Sequence, residues 1–164
     1  MRKLLASLLS VFSIGAYAAT EIKAPVFSLK LNGDWVAEKS DPDQFSYYSK
    51  AIDVGLTTSF VRMNAKPSDT ERIANKLKEF RLAGENRAAS EFNLRMTIAD
   101  PIVVPFSKGH QVAYFGHDDH GRQFRYVGLV FPDKTINVYA ESKTRSQGEL
   151  EKIFNDLLKG LSFQ

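Results

Sequence analysis

The chain has 164 residues, a formal net charge of +3, 12% aromatic residues and no cysteine. Its length suits one domain rather than several, and the missing cysteines exclude both a disulfide scaffold and a lipid anchor carried on a cysteine. No basic stretch is interleaved with aromatics in the way a nucleic-acid groove requires, so nucleic acid is excluded as a partner class.

The first element is an export signal. Arg2 and Lys3 precede the mostly apolar run Leu4–Ile14, and Ala16-Tyr17-Ala18 is a small-x-small cleavage site. That pattern predicts a secretory signal peptide over residues 1–18, cut after Ala18. The apolar run is too short for a membrane span, which needs about 20 residues. Cleavage leaves 146 residues, and loss of Arg2 and Lys3 lowers the charge from +3 to +1. The mature chain is expected to be soluble and periplasmic, or secreted, with no integral membrane segment.

Residues 19–25 read as a short leader, and residues 26–164 as a single domain. VFSLKL (Val26–Leu31) alternates, with Phe27, Leu29 and Leu31 on one side. This predicts a half-buried strand. Asn32-Gly33 then signals a hairpin turn that presents Trp35, the only tryptophan, as a core anchor. SDPDQ (Ser40–Gln44) is a second turn, so Asp41 and Asp43 read as turn residues rather than an acid pair. FSYYSKA and DVGLTTSFVRM follow as strands rich in β-branched and aromatic residues. Tyr47 and Tyr48 fall on opposite faces of theirs; either is a core residue with a wet hydroxyl or an interface residue.

The period then becomes helical. Ser68 with Glu71 predicts a capping box, and Ile73, Leu77 and Phe80 form the expected core stripe. Lys76, Lys78, Glu79 and Arg81 are placed largely on the wet side. Gly84 either ends the helix or lets it restart. In PIVVPF (Pro101–Phe106) Pro105 suggests an edge or a bulge. HQVAYFG and RQFRYVGLVF follow as strands, the second apolar on both faces and so inside a sheet covered on both sides. After the turn PDKT comes the strand Ile136–Ser142. Ser146 with Glu149 is a second capping box, Leu150, Ile153, Phe154, Leu157 and Leu158 make an apolar stripe, and Gly160 stops the helix. Strands, helix, strands, helix without a βαβ rhythm predict an α+β sandwich whose mainly antiparallel central sheet is covered by helices.

The residues with most chemistry lie in FGHDDHGR (Phe115–Arg122). Imidazole and carboxylate suit a metal, and His117, Asp119 and His120 are the candidates. His110 stands at the far end of the same strand, roughly 20 Å away at ~3.3 Å per residue, so it cannot share their ligand shell. The other reading is a hairpin tip. Asp118 and Asp119 would bond nearby amides, and Gly121 would supply the left-handed residue that closes the loop. On that reading Tyr47, Tyr48, His117 and His120 are possible interface residues. No nucleophile elbow, phosphate-binding glycine loop or catalytic constellation is present in the sequence, and no cofactor is expected.

FSLKLNGDW resembles the strand, turn and tryptophan that open PsbP-like domains, the Mog-type α/β sandwich family with its DcrB-like periplasmic branch. The order of the later elements is similar too. The resemblance implies a binding or assembly module rather than an enzyme, acting on another envelope or secreted protein. A narrower form is an immunity protein that neutralises a secreted toxin. A different class, a small-ligand or metal-binding envelope protein using the 117–120 tip, stays open.

Overall fold

A computed structural model describes residues 19–99 and 101–164. The expected signal peptide and its cleavage site at Ala18 lie outside the described residues. The elements run β1 (Thr20–Ala24), β2 (Phe27–Leu31), β3 (Trp35–Ser40), β4 (Gln44–Ser49), β5 (Val54–Arg62), a 3-10 turn (Pro67–Asp69) and helix α1 (Thr70–Glu91). There follow β6 (Met96–Ile98), β7 (Ile102–Phe106), β8 (Gly109–Asp118), β9 (Gln123–Val130), β10 (Lys134–Ser142), helix α2 (Gln147–Lys159) and β11 (Leu161–Phe163). Among the described residues no helix is long and apolar enough to cross a membrane.

The expected α+β fold with an antiparallel sheet is what forms. One large sheet of eight strands runs in the order β3-β4-β5-β10-β9-β8-β6, with β7 also paired to β8. Every described strand pair is antiparallel. Strand β9 is covered on both sides, as its apolar residues of both parities predict. Val127 and Leu129 enter the main core, and Phe124, Tyr126 and Val130 enter a second core beneath α1. Pro105 sits on β7, which pairs only with β8 among the described strands, where a missing amide costs no ladder bond.

Within the expected leader, residues 20–24 form a strand. β1 pairs with β2 from Thr20 opposite Leu31 to Ala24 opposite Phe27, and Ile22 and Ala24 are buried. With β11 these strands make a second sheet of three, in the order β1-β2-β11. Asn32-Gly33 therefore closes no hairpin. It carries the chain from one sheet to the other, with Gly33 at φ +113. Trp35 lands buried beyond the turn as expected, its Nε1 donating to the Asn32 carbonyl at 3.1 Å. The small sheet and α2 close over one face of the large sheet, enclosing Phe27, Leu29, Leu56, Val138 and Phe154. Each such side chain removed from water stabilises the fold by roughly 1.5–3 kcal/mol.

The two helices start and stop in different ways. For α2 the Ser146 hydroxyl accepts from the Glu149 amide while the Glu149 carboxylate accepts from the Ser146 amide, so the capping box is complete. Gly160 ends it, but at φ −80 rather than in the left-handed region. Its missing Cβ matters for packing, since one would lie 2.4 Å from the Lys30 carbonyl. For α1 the Ser68 capping box does not form. Pro67 begins helical backbone two residues earlier, so Ser68 is already inside the turn. The helix runs unbroken through Gly84. Its buried stripe contains Thr70, Ala74, Glu85 and Ala89, and Phe80 is 73% exposed.

Two glycine substitutions test this description by urea denaturation. A Cβ at Gly84 meets nothing within 4 Å. Gly84→Ala is expected to raise stability by about 0.8–1 kcal/mol, the helix-propensity difference. A Cβ at Gly109 would stand 1.9 Å from the Val130 carbonyl oxygen. Gly109→Ala is expected to lower stability by about 1–3 kcal/mol through forced backbone displacement.

Candidate functional site

On the face turned toward α1, residues in register form rows that cross the large sheet. One row reads Tyr114, Tyr126, Tyr139, Thr57, Ser46 across β8, β9, β10, β5 and β4. Helix α1 packs chiefly over β6 to β9, which places it above the aromatic end of the row. The other half of this face is floored by short hydroxyl side chains. Ser46 and Thr57 share a hydrogen bond of 3.3 Å, and Ser59 accepts from Asn137 Nδ2 at 3.2 Å. Val36 and Val61 stand at its borders, 65% and 57% exposed.

Arg81 marks the boundary between the two halves. The sequence places it on the wet side of α1; the structure turns it onto the sheet. Its guanidinium lies over the Tyr126 ring at 4.7 Å and the Tyr139 ring at 5.8 Å, with Nη2 donating to Glu85 Oε1 at 3.2 Å. The Tyr114 hydroxyl donates to the same carboxylate oxygen at 3.0 Å. Tyr114 and Tyr126 stack at 4.8 Å, and the Tyr126 hydroxyl donates to Asn137 Oδ1 at 2.7 Å. Burial pushes all three tyrosines above their ordinary pKa, so they are neutral donors at any physiological pH. Apolar periodicity misses this stripe because two of its members are charged. The available signal is the spacing itself, since Arg81 and Glu85 stand one helical turn apart.

Beside α1 two recesses share the Arg122–Glu141 pair. One, of about 320 Å³, is bordered by Phe80, Arg81, Glu85 and Tyr139. The other, of about 300 Å³, is bordered by Glu38, Tyr48, Asp53 and Lys143. Together they make a trough across the Ser142 end of this face. Asp53 holds φ +51, and hydrogen bonds from Tyr48, Ser142 and Thr144 fix its carboxylate. Those bonds, Thr144 first, lower its pKa, and the bond to Asp53 raises that of the Tyr48 hydroxyl. Tyr47 and Tyr48 separate as alternation predicts. Tyr47 packs against the main core, and Tyr48 borders the trough.

FGHDDHGR forms the β8–β9 hairpin tip. Asp118 is buried, and its Oδ1 accepts from the amides of His120 and Arg122, both at 3.0 Å. Its Oδ2 accepts from Arg122 Nε at 2.9 Å, and Arg122 Nη1 reaches Glu141 Oε2 at 3.0 Å. Gly121 is at φ +87. Asp119 turns the other way, accepting from the Arg95 amide at 3.1 Å. His117 and His120 are exposed, while His110 Nδ1 meets the Thr70 hydroxyl at 3.0 Å near the start of α1. Among the described residues no three histidine or carboxylate groups converge as a metal set. Asp118 thus locks the tip to Arg122, and Arg122 joins the tip to the trough.

Burial alone would raise the Asp118 pKa. The Arg122 and His120 amides and the Arg122 guanidinium outweigh it and hold the carboxyl below its ordinary value. Its stabilising effect is therefore present above about pH 4 and lost as pH falls through the lowered value. Asp118→Asn is expected to cost about 1–3 kcal/mol at pH 7. In urea denaturation that deficit should shrink toward about pH 3, as the wild-type carboxyl protonates.

No protein-family profile matches the chain. No curated protein sequence matches it either. Solved structures do. The solution structure of cyanobacterial PsbP (CyanoP) from Synechocystis superposes with a TM-score of 0.66 over 96% of this chain and 99% of that one, at 9% identity. A crystal structure from Bacteroides thetaiotaomicron superposes with a TM-score of 0.50 over 84% of this chain and 45% of that one, at 13% identity. The resemblance seen in FSLKLNGDW thus extends to the whole described domain, and the chain has the PsbP-like fold.

Proposed function

We propose that this protein is an exported, non-catalytic binding module of the bacterial periplasm that docks another envelope protein on the open half of its α1-side sheet face. The observation that carries this reading is the asymmetry of that face. The aromatic half is filled by α1, while the hydroxyl-floored half is left open between exposed Val36 and Val61. Mixed polar and apolar surface of this kind is what non-obligate interfaces present. Tyr48 is the aromatic group at its edge, its hydroxyl on Asp53 and its ring apolar.

Export is supported by the residue pattern of 1–18. Cleavage after Ala18 would leave β1, which begins at Thr20, intact at the start of the domain. The immunity-protein reading is a narrower form of the same proposal, in which the docked protein is a toxin delivered to the periplasm.

Periplasmic cross-linking and affinity purification of the tagged mature chain tests the proposal. Wild type is expected to retain one stoichiometric partner. Thr57→Arg, which places a long cation on the floor, is expected to lose it while the melting temperature stays within a few degrees. Recovery of the same partner by the arginine variant, or of no stoichiometric partner by wild type, would count against docking on this face.

A further inference from the structure

The opposite end of the large sheet carries a recess unlike the trough. Strand β10 spans nine residues, from Lys134 to Ser142, or about 27 Å at ~3.4 Å per residue. The trough lies at its Ser142 end. At its Lys134 end the β7–β8 turn, the β9–β10 turn, Pro67 and β11 border a recess of about 650 Å³. Its wall is apolar, made of Phe131, Phe163, Pro67 and Pro132. Phe131 and Phe163 pack edge to face at 5.2 Å, and Phe106 packs against each at 6.2 Å. Even so, Phe163 is 44% exposed.

The rim carries Lys108, Lys134 and the carboxylate of Asp133. The Lys134 ammonium is held by Asp133 at 3.3 Å and by the Gln164 carbonyl. Lys108 has no carboxylate partner among the described residues. The two-residue turn that carries it lies between paired Phe106 and Gly109, with Ser107 at φ +50, where such turns normally place glycine. Left-handed backbone at a non-glycine residue is a form of strain that concentrates at binding sites. The recess is within the usual size of small-molecule sites, about 300–1,000 Å³, and combines an apolar wall with few polar groups in the same way.

We propose that this recess binds a single acyl chain bearing an anionic head group, the chain against Phe131 and Phe163 and the head at Lys108. Lys108 is exposed at the mouth of the recess, where an anionic head group would meet it. A second copy of this protein, docked symmetrically, would bring another unpaired Lys108 to the rim, where Asp133 is already engaged by Lys134. A free fatty acid and a lysophospholipid share the required chemistry.

Calorimetric titration of the mature chain tests the proposal, with all probes kept below micelle formation. The probes are dodecanoate, a dodecanoyl lysophosphatidylglycerol and neutral monododecanoyl glycerol. Saturable one-to-one binding of at least one anionic probe is expected, with the neutral probe at least about fivefold weaker. Lys108→Glu should weaken the anionic probes about tenfold and leave the neutral one unchanged. Phe163→Ser should weaken all three about tenfold. The tighter anionic probe assigns the source of the ligand. Absence of saturable binding by both anionic probes, or affinities that neither substitution moves, overturns the proposal. So does a Phe163-dependent dimer of the unliganded chain in sedimentation, which would give the recess to a second copy.

Discussion

The placement of α1 turns on one buried cluster, in which the Arg81 guanidinium lies over two tyrosine rings and is neutralised by Glu85. A charge can sit there only because every element around it answers it. Glu85, 8% exposed, supplies the counter-charge, Tyr114 donates to that carboxylate, and the ring faces of Tyr126 and Tyr139 supply further negative potential. Shifting α1 along the sheet would carry this ion pair, both of whose members lie on the helix, away from the three tyrosines of the sheet. The helix is therefore confined above β8 and β9, and the β4–β5 half of the same face stays open.

That confinement gives the sheet two unlike ends. At the Ser142 end of β10, Arg122 ties the hairpin tip to Glu141, and the trough is polar and charged. At the Lys134 end, phenylalanines gather beneath a rim that carries Lys108 and the Lys134–Asp133 pair. The main core separates neither end from solvent, so each is available without reorganising the fold.

The parts legible in the sequence are those set by local chemistry. The Ser146–Glu149 capping box, Gly121 at the tip and Pro105 on an outer strand are each decided within a few residues. The two-faced burial of β9 was legible because its apolar residues occupy both parities. What was not legible depends on partners distant in the chain. β1 looks like a leader because its five residues carry only Ile22 and Ala24 as core, and its strand exists through pairing with β2. Asn32-Gly33 signals a turn correctly, but whether the chain returns to the same sheet is decided by where β11 and β4 pair. The α1 stripe escaped because Arg81 reads as a surface residue until three tyrosines from other strands are placed beneath it. In the candidate site the tip was read as a turn from its own residues. The trough behind it was missed, since it assembles residues from Glu38 to Lys143.

A double-mutant cycle on Arg81 and Glu85, followed by urea denaturation, tests the central claim most directly. If the pair anchors α1, Arg81→Met leaves a buried carboxylate without its counter-ion and costs about 2–4 kcal/mol. Glu85→Leu costs a similar amount, and the double variant recovers most of the loss because two apolar side chains replace two mutually dependent ions. Single variants within about 0.5 kcal/mol of wild type, or losses that simply add, would contradict the account.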